Sequence, residues 1–246
     1  MSKQNRARAV SAEKLARRRA AERRKKAMIG GAVAAAVLVA AVIIGLAVYN
    51  TRDKAPDQFA IPRGATANTV VVGKPDAKVT IDLYIDYQCP ACRQFETQDS
   101  AALDKMVADG TAKIAYHPLA ILNRFSSTEY STRASAASGC AAEAGVFDKF
   151  TKALFANQPP EGGAGLPNEK LIELGKAAGA TSPEFAQCVN DQKYADWSTA
   201  LTEAASKAGV TGTPTVLVDG QQVEDLTVDG LKAAVNKAAS EVRQAR

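Results

Sequence analysis

Cys89 and Cys92 stand two residues apart in "DYQCPAC", and three chemistries use such a pair: a redox couple, half of a metal site, or a structural staple. If a helix begins at this point, the two thiols lie about one turn apart and can form a reversible disulfide. Cys89 would sit at the helix N-terminus, where unpaired N–H groups and the helix dipole favour a thiolate over the ordinary thiol. A thiolate attacks disulfides and leaves readily. Cys89 therefore reads as the nucleophile, and Cys92, one turn inside the helix, as the resolving thiol. Zinc would need further ligands. The other cysteines, Cys140 and Cys188, are isolated and the single histidine, His117, stands at a strand end, so no metal site is expected. A staple gains little from closing so short a loop, whereas the long span from Cys140 to Cys188 gains more. The short pair suits chemistry and the long pair suits stapling, with two small buried hydrophobic cysteines as the alternative for the latter.

The elements that would position Cys89 are legible on both sides of it. In "KVTIDLYIDYQ" the residues Val79, Ile81, Leu83 and Ile85 alternate with Thr80, Asp82 and Tyr84, which predicts a strand. By the same alternation Asp82 and Asp86 point to the opposite face from those apolar residues. Pro90 suits the first helical position, and Phe95, Leu103, Met106 and Val107 continue a helix that Gly110 closes. "TAKIAYHPLAIL" predicts a second strand stopped at Pro118. Residues 126–208 read as helical in three stretches, with "QPPEGGAG" as a loop and Ser182-Pro183 as a helix start. "TPTVLVDGQQVE" predicts a hairpin turning at Asp219-Gly220, followed by a helix from Val228 to Val242. The order is that of an α/β domain interrupted by helices, and the aromatic residues Trp197, Phe147, Phe150 and Phe155 are expected in its core.

Charge and hydropathy place this domain. The chain carries a formal +5 from 31 Lys+Arg against 26 Asp+Glu, but residues 1–26 hold 11 of the basic residues and only Glu13 and Glu22 among the acids. The remainder is 20 basic against 24 acidic, so the domain has no basic surface for nucleic acid. Residues 27–49 are free of charge, and at 1.5 Å per residue they make a helix of about 34 Å, enough for a hydrocarbon core of roughly 30 Å. A buried core helix or a cleaved signal peptide are the other readings, but this run has no polar face and exceeds a signal peptide's apolar core. Expected, then, are a basic cytoplasmic tail (1–26), a transmembrane helix (27–49), a linker (50–67) and an extracytoplasmic domain (68–246) with a helical insert near 126–208. Outside the cytoplasm disulfides persist, and an even number of cysteines fits pairing.

Further along, "GVTGTPT" places Pro214 at the start of a strand, where proline and a cis peptide are tolerated. Together, "DYQCPAC", the helical insert and this Thr-Pro resemble the DsbA-like thiol:disulfide oxidoreductases, across about Thr66 to Val242. The resemblance implies a thioredoxin-like fold with an inserted helical domain and a cis Pro214 beside the active pair. It further implies that Thr213 offers backbone hydrogen bonds to a bound chain, that Pro90 and Ala91 support the active site, and that Cys140–Cys188 staples the insert. It needs no cofactor beyond the Cys89–Cys92 disulfide. The activity implied is oxidation of unfolded exported proteins, with re-oxidation by a quinone-linked membrane partner. Two departures bear on mechanism. Many relatives carry an acid six residues before the first cysteine, where this chain has Leu83, and Pro90-Ala91 lacks the histidine of some strongly oxidising relatives. A reductase or isomerase, or a redox-inert binding module, are the competing functions.

Overall fold

The computed structural model describes residues 59–244. The expected basic tail, membrane helix and most of the linker lie outside them, and among the described residues no helix is long and apolar enough to cross a membrane. The described part of the linker is packed against the domain: Pro62 is buried, and the indole of Trp197 donates to the Thr66 carbonyl at 3.1 Å.

A five-stranded sheet runs in the order β1-β3-β2-β4-β5, with β1 Val70–Val72, β2 Val79–Ile85, β3 Ala112–Pro118, β4 Thr215–Val218 and β5 Gln221–Gln222. β2 and β3 are parallel, and the remaining pairings are antiparallel. A parallel pair needs a crossover, which α1 (Pro90–Ala108) supplies. In β2 the alternation holds: Val79, Ile81, Leu83 and Ile85 are at most 2% exposed. β1 is absent from the sequence expectations because three consecutive valines show no period of two; its pairing with Ile114 to Tyr116 of β3 is what makes it a strand. The hairpin turns as expected, with Asp219 and Gly220 both at positive φ.

Between β3 and β4 lie α2 Tyr130–Glu143, α3 Phe147–Ala156, α4 Asn168–Ala178, α5 Pro183–Asn190 and α6 Ala195–Lys207, and α7 Val228–Gln244 closes the chain. The first helical stretch is two helices because Gly145 takes the left-handed conformation (φ 72°) between them. The last is likewise two, broken where Gln192 has φ 47°. Ser182 caps α5 by accepting from the Glu184 N–H, with Pro183 in the first turn. Trp197, Phe147, Phe150 and Phe155 are all buried.

The packing of α4 on α5 depends on the absence of a side chain at Gly175, where a Cβ would overlap the buried ring of Phe185. That ring is itself held edge-on against Phe150 at 5.9 Å. Gly175→Ala is expected to lower stability by about 1–3 kcal/mol through overpacking, against the ~1 kcal/mol that alanine gains in helix propensity. Denaturant unfolding measures the balance, and an unchanged or raised midpoint would show that the ring moves aside freely.

Candidate active site

Cys89 ends the turn that leaves β2 and is the N-cap residue of α1, with Pro90 in the first turn. Cys89 is 7% exposed and Cys92 only 1%, while Pro90 and Ala91 between them are exposed. Both thiols are free, whereas Cys140 in α2 and Cys188 in α5 are joined. The peptide between Thr213 and Pro214 is cis, and the Cys89 thiol donates to the Thr213 carbonyl at 3.2 Å. The structure thus gathers Cys89, Cys92, Thr213 and Pro214, distant in sequence, at one end of the sheet. An open cavity of about 450 Å³ lies along the exposed face of α1, lined by Pro90, Ala91, Arg93 and Gln94 among others.

The two thiols differ in acidity because their surroundings differ. A hydrogen bond from Cys92 brings the Cys89 thiol down to about 6, opposed by burial and helped by the Thr213 side chain and the backbone N–H groups of Cys92 and Ala91. Burial pushes Cys92 well above its ordinary value, and a negative Cys89 beside it pushes the same way. The pair therefore holds one negative charge, on the outer sulfur.

Asp86 corrects a sequence expectation. Strand alternation would turn it away from the apolar face with Asp82, but β2 ends at Ile85, so the strand rule does not reach it. Asp86 is wholly buried. Its carboxylate accepts from the N–H groups of Gln88 (2.8 Å) and Leu122 (2.9 Å) and from the Ser131 hydroxyl (2.8 Å). Burial nevertheless raises it to about 6, and the nearby Cys89 adds to the rise. Asp82 does lie on the other face, 3.0 Å from His117 Nε2; His117 is buried and stacked on Tyr84, a packing position. Leu83, in place of the acid of many relatives, is buried in the core.

Three further residues of the site carry no sequence signal. Gln88 donates to the Leu122 carbonyl at 2.7 Å, the Tyr87 hydroxyl pairs with Thr151 at 2.9 Å, and Gln158 donates to the carbonyls of Tyr87 and Cys89 at 3.0 and 2.9 Å. Their partners lie 34 to 71 residues away, beyond any local pattern. Among the described residues no group of His, Cys, Asp and Glu could hold a metal ion.

A family model described as thioredoxin matches residues 65–237. A crystal structure of oxidised DsbA from Mycobacterium tuberculosis is 33% identical, with a TM-score of 0.62 over 70% of this chain and 93% of that one. The reduced form of the disulfide bond oxidoreductase DsbG from the same organism is 32% identical, with a TM-score of 0.60 over 70% and 92%. A provisionally named protein-disulfide oxidoreductase of Rickettsia bellii is 27% identical over 202 residues, which are 81% of this chain and 76% of that protein.

One turn beyond Cys92, Glu96 is buried and its Oε1 has no hydrogen-bond partner among the described residues. Burial raises its carboxyl from 4.5 to about 7, against the pull of Lys152. A carboxyl whose pKa is raised by folding favours the fold while protonated, fully so below about 4.5, and that contribution is lost as pH rises through about 7. Glu96→Gln cannot ionise. It is expected to match the wild type near pH 4 and to be more stable at pH 8 by up to roughly 3 kcal/mol, since each tenfold change in a group's acidity on folding is worth about 1.36 kcal/mol. Unfolding curves at the two pH values measure this, and an equal offset at both would show that Glu96 does not titrate in the fold.

Proposed function

The chain belongs to the thioredoxin family and is a thiol:disulfide oxidoreductase of the DsbA type; from that premise we propose that it is a membrane-anchored oxidase that introduces disulfides into exported proteins outside the cytoplasm. What supports the oxidising direction is the place of Cys89 at the N-cap of α1, beside the Cys92 thiol and the N–H groups of Ala91 and Cys92, which bring its thiol down to about 6. A stabilised thiolate favours the reduced form of the pair, and a pair whose reduced form is favoured is a strong oxidant. The anchor rests on the sequence, on the uncharged run 27–49 after the basic residues 1–26.

In the proposed reaction the Cys89–Cys92 disulfide meets a substrate thiolate, which attacks the Cys89 sulfur. The new substrate–Cys89 bond forms as the Cys89–Cys92 bond breaks, and Cys92 leaves and takes up a proton, as its high pKa favours. A second substrate thiolate then attacks the substrate sulfur of the mixed disulfide. The substrate disulfide forms, and Cys89 departs as the thiolate that its N-cap position stabilises. Two electrons have passed to the enzyme, and we assign their removal to a quinone-linked membrane partner. A substrate chain in extended form would pass Cys89 and pair with the backbone of Thr213. Pro90 starts the helix at Cys89, and the Ala91 N–H is one of the backbone groups that favour its thiolate.

The test combines a glutathione redox titration with two variants. The Cys89–Cys92 pair should be reduced under mildly reducing buffer while Cys140–Cys188 stays intact. In cells, Cys92→Ser should accumulate mixed disulfides with exported proteins in the membrane fraction, and Cys89→Ser should yield none and no activity. A Cys89–Cys92 pair that resists strong reductant would reverse the direction to that of a reductase, and recovery in the soluble fraction would remove the anchor.

A further inference from the structure

We propose that Gln158 is a positioning residue of the active site: its side-chain amide clamps the backbone on both sides of Gln88 and thereby sets the acidity of Cys89 and the potential of its pair. This rests on the reading of Cys89 as the attacking sulfur, but not on the direction of the reaction.

The geometry is specific. One Nε2 has two hydrogens, and both are used, on the Tyr87 carbonyl at 3.0 Å and the Cys89 carbonyl at 2.9 Å. The Cys89 carbonyl also accepts the first bond of α1, from the Arg93 N–H at 3.2 Å, so both of its lone pairs are occupied. The support is stiff. Gln158 comes just after Asn157, the C-cap of α3, its own N–H bonded to the Phe155 carbonyl at 3.2 Å, and Pro159 and Pro160 come next, with φ fixed by their rings. α3 also holds Tyr87 itself through its hydroxyl on Thr151 and its ring against Phe155 at 5.3 Å.

Two effects follow, of the same sign. Fixing the carbonyls of Tyr87 and Cys89 to one amide holds Cys89 at the extended N-cap φ −74°, ψ 118°, with its sulfur near the backbone N–H groups of Ala91 and Cys92 that favour its thiolate. Donors on the Cys89 carbonyl also draw off the negative charge nearest the sulfur, which would otherwise oppose a thiolate. Without the amide, the thiol becomes less acidic and the reduced pair less favoured.

The experiment compares the full chain, wild type and two variants, by alkylation across pH with peptide mapping to Cys89 and by redox titration. Q158M keeps the length and removes both donors; Q158N keeps an amide one methylene too short to reach both carbonyls. In Q158M the Cys89 pKa is expected to rise by about half a pH unit or more, so that alkylation at pH 5 slows roughly three-fold or more, and the pair's potential to become more negative. Q158N should fall between. Wild-type acidity and potential in a folded Q158M, even with a lowered Tm, would overturn the proposal and leave Gln158 a structural latch. Should Q158M not fold, the same outcome in Q158N overturns it. A wild-type Cys89 with an ordinary thiol pKa would instead refute the function proposed above, which keeps the two failures distinct.

Discussion

The turn from Asp86 to Cys89 is wholly or nearly buried, and the chemistry depends on how its polar groups are satisfied without water. A strand and a helix that meet below the surface leave a short run of backbone outside both hydrogen-bond patterns, and leaving such groups unpaired costs about 1–3 kcal/mol each. Here the partners come from the helical insert and from the loop leading into it. Leu122 and Ser131 reach Asp86, Leu122 also receives Gln88, and Gln158 reaches the carbonyls of Tyr87 and Cys89. The insert is therefore part of the active site, although it contributes no reacting atom.

Charge is arranged around the same turn so that the outer sulfur is the acidic one. The helix start and the Cys92 thiol favour a thiolate at Cys89, while Asp86 and Glu96 are both pushed toward protonation by burial. A protonated Asp86 removes a negative charge that would compete with the thiolate, and the coupling is reciprocal because Cys89 raises Asp86. With both groups near 6, Cys89 and Asp86 titrate against each other, and above that pH the Asp86 carboxylate is held by its three donors. The buried acid that many relatives place at the position of Leu83 has no counterpart on β2; the buried carboxylates stand instead at the strand's end and on α1.

Local patterns showed the parts of the site that local physics governs. The period of two in β2 and Pro90 at a helix start were enough to place Cys89 and Cys92 where a strand gives way to a helix, and Asp219-Gly220 marked its own turn; Thr213 and Pro214 were expected beside them only through the resemblance to the DsbA-like oxidoreductases. What escaped was decided by tertiary pairing. The valines of β1 have no period of their own and become a strand only against β3. Asp86 looked like a strand residue and is not one, since β2 stops one residue earlier. Gln158 sits in a stretch that reads as a loop of proline and glycine, and nothing within a few residues of it announces two carbonyls 69 and 71 positions away.

α2 joins the site to the rest of the fold. Near its N-terminus Ser131 donates to Asp86, one turn later Ser135 donates to the carbonyl of Pro118 where β3 ends (2.6 Å), and further along the same helix Cys140 is bonded to Cys188 of α5. A disulfide across 48 residues removes freedom from the unfolded chain worth roughly 4 kcal/mol in the loop-closure treatment. Its placement matters as much as its size. The bond ties the far end of the helix whose near end holds the catalytic turn, so the register of α2 is constrained at both ends, and Ser131 meets Asp86 without having to be ordered by that one hydrogen bond. A single hydroxyl–carboxylate contact could not hold a helix in place by itself; the staple and the Ser135 bond do that, which leaves the contact at Asp86 free to tune the site.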